Sequence, residues 1–263
     1  MTIRGVIFLH FSFCIDMMFG SLDFYDKFSA AKKCGADAVE FWKWTNKDLT
    51  RVKSELKKNG LKFSIFNIDC QDEKLSYDLS RGILNAGRAN ELEQALLESI
   101  PIYKELNASG MIVLIGETLD LPYDEQIENI VKCLERVKPI AEKEGITLLV
   151  EPLNDIDRKN YFLPRSKEVF QILKKVDSPN IKLLFDIYHE QLMNGNLINS
   201  INDNIDLIGH FHVADAPGRH EPGTGEINYP NVLNAIEATG YNRYIGLEYR
   251  ATKPDEETMD FIK

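Results

Sequence analysis

Four side chains that can bind a metal ion stand at or beside the ends of apolar runs in the second half of the chain: Glu151, Asp186, His212 and Glu248. Three carboxylates and one imidazole make a hard, mainly oxygen site that suits Mg²⁺ or Mn²⁺ and can also accept Co²⁺ or Zn²⁺. Taken singly, each is as well explained by a buried ion pair or a strand-end cap. Four together favour a shared metal site, because buried carboxylates without a cation repel each other and are costly to ionise.

The elements that carry these residues form a repeat. A turn residue, most often glycine, leads into four to seven apolar residues and then into a helical period. Short apolar runs suit strands buried on both faces of a parallel sheet, and glycine before a strand suits a helix C-terminus. The predicted strands are 6–15, 35–42, 60–66, 110–115, 145–151, 180–186, 206–213 and 242–248. The predicted helices are 23–34, 47–59, 90–107, 123–144, 166–176, 189–202 and 229–239.

Eight such alternations, spaced by about 30 residues, predict an α/β fold: a (β/α)8 TIM barrel in a single domain over residues 1–263. A doubly wound open sheet is the alternative, but no G-x-G-x-x-G turn follows the first strand. The C-terminal ends of barrel strands open on one face, so the four metal-binding candidates, on strands five to eight, should converge there. The irregular segment 69–89 is expected to form part of the wall of that site, and the last helix to be short.

Composition restricts the partners and the compartment. The 31 basic and 41 acidic residues give a net charge of −10, which argues against nucleic acid or an anionic membrane as a partner. The four cysteines form no C-x-x-C pair, which fits a reducing cytoplasm better than a disulfide framework. Arg4 and the apolar run 6–15 resemble the start of a signal peptide, but Asp16 follows and no cleavage motif appears. We therefore expect a buried first strand.

Several long motifs extend beyond the four candidate ligands. They are EPLNDID at 151–157 with YFL at 161–163, FDIYH at 185–189, GHFHVADAPGRHEP at 209–222 and GEINY at 225–229. Through them the chain resembles the xylose isomerase-like superfamily of sugar isomerases and epimerases, and most of all its hydroxypyruvate isomerase-like members. His212 stands where hydroxypyruvate isomerases typically have glutamine, whereas histidine is typical of ketose 3-epimerases. The substrate is therefore left open.

The resemblance implies roles for the four ligands. Glu151 and Glu248 would be the catalytic acid–base pair as well as metal ligands, and Asp186 and His212 would be mainly ligands. Isomerisation of an α-hydroxy carbonyl compound moves a proton between neighbouring carbons through an enediolate, which a chelated divalent ion stabilises. One carboxylate removes the proton and a second carboxyl group returns it.

Substrate contacts are implied for two further residues. His189 would contact a substrate oxygen, with helix capping as the alternative, and Arg219 would pair with a carboxylate or polarise an oxygen, with a solvated loop as the alternative. Trp42 and Trp44 follow the second strand and are candidates for an apolar wall of the pocket, with core packing as the alternative. Of the two, Trp44 is assigned to substrate binding.

Three other residues receive structural interpretations. His210 is expected to face the helices as a core histidine, on the side opposite to His212. His10, in the middle of the first predicted strand, is expected to be packed. Glu40 either helps to line the pocket or forms a salt bridge.

The expected function is a metal-dependent isomerase of a small hydroxy-carbonyl acid, with hydroxypyruvate to tartronate semialdehyde as the leading reaction. A ketose 3-epimerase and a metal-dependent lyase or dehydratase are the alternatives. A nuclease of the same fold would need a basic groove and more histidines than the five present. The expected partners are a small-molecule sugar or hydroxy acid, no nucleic acid and no membrane. Relatives are often dimers or tetramers, so a homo-oligomer is also expected.

Overall fold

The computed structural model describes residues 9–262, within which nine parallel strands form a nearly closed barrel. The strands are β1 (His10–Cys14), β2 (Ala38–Glu40), β3 (Lys62–Phe63), β4 (Ile65–Asn67), β5 (Gly110–Leu114), β6 (Leu148–Glu151), β7 (Ile181–Asp186), β8 (Ile208–Val213) and β9 (Tyr244–Leu247). Their order around the sheet is β3-β2-β1-β9-β8-β7-β6-β5-β4.

The barrel closes through one residue between β3 and β4. Ser64 donates its backbone N–H to Val39 O at 3.0 Å on one side and accepts from Ser109 N at 2.7 Å on the other. β3 and β4 are therefore two halves of one barrel strand, interrupted at Ser64. Counted in this way the barrel has eight strand positions, which confirms the predicted (β/α)8 TIM barrel.

The helices of the described residues alternate with the strands. They are α1 (Asp26–Lys33), α2 (Leu49–Asn59), α3 (Glu73–Ser80), α4 (Arg88–Leu106), α5 (Tyr123–Glu144), α6 (Ser166–Val176), α7 (Ile187–Met193), α8 (Leu197–Asn204) and α9 (Tyr229–Ala238). After β9 the described chain forms only the 3₁₀ turns Asp255–Glu257 and Met259–Ile262, in line with the short last helix that was predicted. No helix in the described range is long and apolar enough to cross a membrane.

Two helix predictions are wrong. The stretch 189–202 is not one helix, because Gly195 and Asn196 adopt left-handed conformations (φ 66° and 52°) between α7 and α8. The segment 69–89 is not wholly irregular, because it contains α3. Asp72 starts that helix by accepting a hydrogen bond from the N–H of Leu75 through its carboxylate.

The first strand differs from its prediction at its beginning. Of the predicted range 6–15, residues 6–8 lie outside the described residues, and β1 begins at His10. The prediction that His10 is packed is wrong: its side chain is 52% exposed, with Nδ1 3.6 Å from Asp37 Oδ2. As the first residue of β1, His10 lies at the N-terminal rim of the barrel, away from the strand ends where the candidate site lies.

The barrel interior has a small apolar cluster of its own, formed by Ile65, Ile112, Leu149 and Leu184. The larger core lies between the sheet and the helices. Since alternate residues of a strand share a face, the next inward-facing positions after Leu149 and Leu184 are Glu151 and Asp186. The interior cluster therefore supports the polar groups at the C-terminal ends of β6 and β7.

Candidate metal and active site

The four predicted metal ligands meet at the C-terminal ends of four consecutive strands. Glu151 and Asp186 end β6 and β7, His212 is the penultimate residue of β8, and Glu248 directly follows β9. One ligand atom from each lies within 4.8 Å of the others. All four side chains are buried. They form a candidate metal site at the place that the strand pattern predicts.

The two nitrogens of His212 have different surroundings. Nδ1 has no hydrogen-bond partner in the described structure, and it lies 3.3 Å from Glu248 Oε2 and 3.6 Å from Glu151 Oε1. Nε2 lies 2.9 Å from Glu40 Oε1. The Glu40 carboxylate holds one ring proton on Nε2. Burial opposes a second proton, but Glu248 and Glu40 outweigh it and raise the pKa of His212 well above its usual value, so a cation would replace the proton at Nδ1. The donor set therefore fits a divalent cation.

Asp186 divides its two oxygens between the fold and the site. Oδ1 caps α7 by accepting from the backbone N–H groups of Tyr188 at 2.8 Å and His189 at 3.1 Å. Oδ2 faces the cluster and lies 3.4 Å from His189 Nε2 and 3.5 Å from Arg219 Nη2. The sequence Asp-Ile-Tyr-His thus starts a helix and presents a candidate ligand oxygen with the same carboxylate.

Glu40, the last residue of β2, connects His212 to the barrel interior. Its Oε2 accepts from Ser64 Oγ at 2.8 Å and lies 3.3 Å from His210 Nε2. The prediction that His210 faces the helices is wrong, since residues two apart on a strand point to the same side and both histidines face inward. Burial opposes ionisation of Glu40, but His212 and His210 lower its pKa to about 2. Glu40 is therefore a buried carboxylate.

Gly246 makes room for this pair. A Cβ at Gly246 would lie 2.5 Å from Glu40 Oε1 and 2.6 Å from His212 Cδ2, closer than side-chain contacts allow. The β9 backbone therefore approaches the Glu40–His212 hydrogen bond so closely that a side chain at this position would have to displace one of the two partners.

The two glutamates of the cluster have opposite electrostatic environments. Burial, with Glu248 and Asp186 nearby, raises the pKa of Glu151 in spite of His212. Burial also acts on Glu248, but His212 and Arg219 outweigh it and lower the pKa of Glu248. Glu248 is further held by Trp42, whose Nε1 donates to Oε1 at 2.8 Å, and by an ion pair with Arg219. The two carboxyl groups therefore differ in how readily each holds a proton when no cation is bound.

The raised pKa of Glu151 predicts a pH-dependent metal affinity. Below that pKa the carboxyl group is protonated, and a ligand must lose its proton before it binds a cation. We expect the Mn²⁺ affinity to fall as the pH is lowered from about 8 to 5, by up to roughly tenfold per pH unit where one proton is displaced. Calorimetry in buffers of different ionisation enthalpy measures both the affinity and the released proton. A Mn²⁺ affinity that stays constant over this pH range would contradict the assignment of Glu151 as a metal ligand.

His189 is held in one tautomer by Asn154. Asn154 Oδ1 accepts from the N–H groups of Ile156 at 3.0 Å and Asp157 at 2.7 Å, which fixes its amide nitrogen toward His189 Nδ1, 2.5 Å away. Nδ1 is therefore an acceptor and Nε2 carries the proton. Nε2 has no hydrogen-bond partner in the described structure. Burial lowers the pKa of His189 to about 4, so a neutral N–H donor is available to a ligand.

Replacing Asn154 with aspartate tests this arrangement. A carboxylate beside Nδ1 accepts a proton instead of donating one, so we expect the pKa of His189 to rise by about one to three units. Nitrogen-15 NMR of the Mg²⁺-loaded protein reports the tautomer and the titration. The neutral Nε2–H tautomer in both proteins, with the same pKa, would rule out the role given to Asn154.

Arg219 comes from a loop that Asp215 organises. The carboxylate of Asp215 accepts from the backbone N–H groups of Ala216 at 2.9 Å, Gly223 at 2.7 Å and Ile227 at 3.1 Å. Arg219 takes a left-handed backbone conformation (φ 58°) within this loop, and its guanidinium reaches Glu248. Its Nε is buried and has no partner among residues 9–262. The guanidinium therefore keeps one buried N–H group without a partner in the described structure.

A cavity of about 580 Å³ opens at this end of the barrel, and Glu151, His189, Arg219 and Glu248 line it. Trp42 lines it as well, whereas Trp44 does not. The Trp44 indole is buried and donates to Ser99 Oγ on α4 at 3.2 Å. The expectation that Trp44 lines the pocket is therefore wrong, and of the two tryptophans Trp42 is the one that lines it. The segment 69–89 contributes to the wall through α3, as predicted.

Two residues of the site were not assigned from the sequence. Glu40 ends an apolar strand in the run Ala-Val-Glu, which is the same signal that identified Glu151. Its role was left open between lining the pocket and forming a salt bridge. Asn154 lies three residues after Glu151 in a strand-end motif, and only the folded loop shows that its amide reaches His189.

Comparisons with known proteins find similar sequences and a similar fold. A family model described as xylose isomerase-like TIM barrel matches residues 28–263. Hydroxypyruvate isomerase of Escherichia coli (strain K12) is 34% identical, with 92% of this chain and 93% of the relative covered. A 2-oxo-tetronate isomerase of Cupriavidus necator is 30% identical, with 95% of each covered. A crystal structure described as an AP endonuclease, family 2, from Brucella melitensis superposes with a TM-score of 0.89 at 28% identity, covering 96% of this chain and 97% of that one.

Proposed function

Because the chain belongs to the xylose isomerase-like TIM barrel family, whose similar curated members are named isomerases, we propose that it is a metal-dependent isomerase of a small hydroxy-oxo acid. The family match and the isomerase names of the similar proteins confirm the family resemblance that the sequence motifs predicted. The leading reaction is hydroxypyruvate to tartronate semialdehyde, and a 2-oxo-tetronate is the second substrate of this class. The observation that carries the proposal is the buried cluster of Glu151, Asp186, His212 and Glu248, with two glutamates in unlike environments.

In this proposal the four cluster residues hold a divalent cation, with Mg²⁺ or Mn²⁺ favoured by the carboxylates and Co²⁺ or Zn²⁺ compatible with them. A bound cation supplies stabilisation of the negative charge that develops on the substrate oxygens. Glu151 and Glu248 exchange the proton with the two neighbouring carbons. With a cation bound both glutamates would be carboxylates, so one can take up the proton as it leaves a substrate carbon and a carboxyl group protonated in this way can return it.

The surrounding residues orient the substrate in this scheme. His189 donates through Nε2 and Arg219 through its guanidinium, so both can hold substrate oxygens in place. Trp42 closes the side of the cavity next to Glu248 and fixes that carboxylate by its indole N–H. Holding the substrate carbons between two carboxyl groups is the positional requirement of the reaction.

A ketose 3-epimerase is the second candidate, and one observation favours it. Histidine is typical of ketose 3-epimerases at the ligand position that His212 occupies. The hydrogen bond from His212 to Glu40 orients the ring for that role. A lyase or dehydratase would need a substrate with a leaving group on the carbon next to the enediolate. Nuclease activity is not proposed, because a net charge of −10 opposes DNA binding.

Hydrogen exchange in D2O tests the proposal. Proton NMR would follow hydroxypyruvate, tartronate semialdehyde, D-fructose, D-tagatose and L-ribulose in the presence of the protein and Mg²⁺. Reactions with Mn²⁺ would be stopped, and the Mn²⁺ removed with a chelator, before the spectra are recorded. We expect metal-dependent deuterium uptake into the hydroxy-oxo acids that stops when EDTA is added. Uptake confined to C3 of the ketoses would establish the epimerase instead. No exchange in any compound, with metal binding verified, would remove the isomerase proposal.

The remaining expectations accompany this proposal. Residues 1–263 are proposed to form one barrel domain with a small-molecule substrate as its main partner, without nucleic acid or membrane. A cytoplasmic location is proposed from the cysteine pattern, and fractionation would test it. A homo-oligomer is proposed from the family, and light scattering of the purified protein gives the number of subunits.

A further inference from the structure

The cavity has two chemically different ends. Around the eight strand positions of the barrel, the third strand (β3 with β4) lies opposite β8, so Asn67 at the end of β4 faces the side of His212 across the mouth. The metal cluster is on the β6–β9 side. The rest of the wall is built from the loop after β2, from β4 and α3, and from the loop after β6. Its polar lining residues include Lys43, Asn67, Tyr77, Ser80, Arg81 and Arg158, with Asp16, Asn46, Lys47 and Asp157 beside them.

Lys43 differs from the other cations that line this cavity. Within the described residues, each of the others lies within 4.0 Å of a carboxylate: Lys47 of Asp16, Arg81 and Arg158 of Glu117, and Arg219 of Glu248 and Asp186. Lys43 Nζ donates to the neutral Ser76 Oγ at 2.7 Å, and no carboxylate of the described chain lies within 4.0 Å of it. Lys43 thus brings to the cavity wall a positive charge without a paired carboxylate.

Most of the polar groups around Lys43 are neutral. A side recess of about 20 Å³ adjoins the main cavity, and Lys43, Asn67, Ser76 and Ser80 line it. Asn67 Oδ1 is buried there without a hydrogen-bond partner among residues 9–262. Asp69 also borders the recess, but its Oδ2 accepts from Thr45 Oγ1 at 2.6 Å. An ammonium group beside amide and hydroxyl groups suits an anionic oxygen with a neighbouring hydroxyl.

We propose that Lys43, together with the side-chain amide of Asn67, forms an anion subsite that holds the carboxylate of the substrate while its reacting carbons lie at Glu151 and Glu248. The subsite deepens the proposed function and rests on it for the position of the reaction. It assigns the substrate class: a hydroxy-oxo acid gives Lys43 an ionic partner, whereas an uncharged ketose leaves it with none. A cavity of about 580 Å³ also has room for acids longer than three carbons.

Binding of stable analogues to the Mn²⁺-loaded protein tests the subsite without turnover. Erythronate carries a carboxylate, and erythritol replaces that carboxylate with a hydroxymethyl group. By calorimetry we expect erythronate to bind more tightly than erythritol. Lys43→Gln should weaken erythronate by about 10–100-fold, as expected for a hydrogen bond to a charged group, and leave erythritol unchanged. Lys43→Arg, which keeps the charge, should retain the preference for the acid.

Lys74→Gln is the matched control, because Lys74 lies on α3 but its side chain is 86% exposed and outside the cavity. Equal binding of erythronate and erythritol by the wild-type protein would overturn the proposal. So would equal losses for both analogues in Lys43→Gln, or the same loss in Lys74→Gln. Thermal unfolding of each variant shows that it is folded.

Turnover separates this proposal from the proposed function. KM values would be compared for 2-oxo-tetronate and for erythrulose, its uncharged counterpart. Turnover of the acid with an unchanged KM in Lys43→Gln would remove the subsite and leave the isomerase in place. Lys43-dependent binding of erythronate by a protein that turns over neither compound would keep the subsite and remove the isomerase.

Discussion

Glu151→Gln and Glu248→Gln are each expected to lower kcat for the hydroxy-oxo acid by roughly 10²–10⁴-fold, the contribution of a positioned acid or base. Glutamine keeps an oxygen that can face the cation but cannot remove or return a proton. The expected loss is therefore mainly in kcat, with a smaller loss of metal affinity. Manganese occupancy must be held at saturation and checked for each variant by metal analysis.

The two variants should differ in which carbon still exchanges. Isomerisation of hydroxypyruvate removes a proton from C3 and adds one to C2, and the reverse reaction starts at C2 of tartronate semialdehyde. If the glutamates serve one carbon each, each variant retains deuterium exchange at the carbon served by the remaining glutamate, although product formation stops. If one variant lost deuterium exchange at both carbons and the other variant kept both, a single glutamate would serve as the base for both carbons.

Glu128→Gln is the matched control for these substitutions, since Glu128 is exposed on α5 and outside the cavity. It should keep the wild-type kcat. Comparable losses in Glu128→Gln would mean that the change of charge, rather than proton transfer at the cluster, explains the effect.

The sequence was informative where one residue and its strand position decide the outcome. Glu151, Asp186 and Glu248 were predictable because each follows an apolar strand, and the ends of parallel strands meet on one face of a barrel. The helices 123–144 and 166–176 were predicted with the bounds that the structure has, because their apolar periodicity is long and uninterrupted.

What the sequence could not decide depends on contacts between distant segments. Trp42 and Trp44 have the same local pattern, yet one meets Glu248 and the other meets Ser99, from opposite sides of the strand end. Asn154 acts on His189 through a loop whose shape is set by its own hydrogen bonds. His210 was misplaced for a different reason: the period of a strand is two residues, so the inward position of His212 already required His210 to face inward.

The hydrogen bond between Glu40 and His212 leads to the second large effect. Partners that orient a metal-ligating histidine typically contribute 10–100-fold to metal affinity. Glu40→Gln should weaken Mn²⁺ binding by about that factor, because an uncharged amide holds the Nε2–H less strongly and leaves Nδ1 a poorer ligand. Electron paramagnetic resonance of free Mn²⁺ gives the affinity directly, independent of activity.

Gly246→Ala tests the same contact while keeping every ligand and Glu40. A methyl group there would displace Glu40 or His212, so Mn²⁺ affinity should fall in this variant as well. Glu105→Gln, at an exposed surface position on α4, should bind Mn²⁺ like the wild type. Unfolding of the metal-free proteins shows whether the barrel is intact. Wild-type Mn²⁺ affinity in both Glu40→Gln and Gly246→Ala would mean that His212 is oriented by the β8 backbone alone.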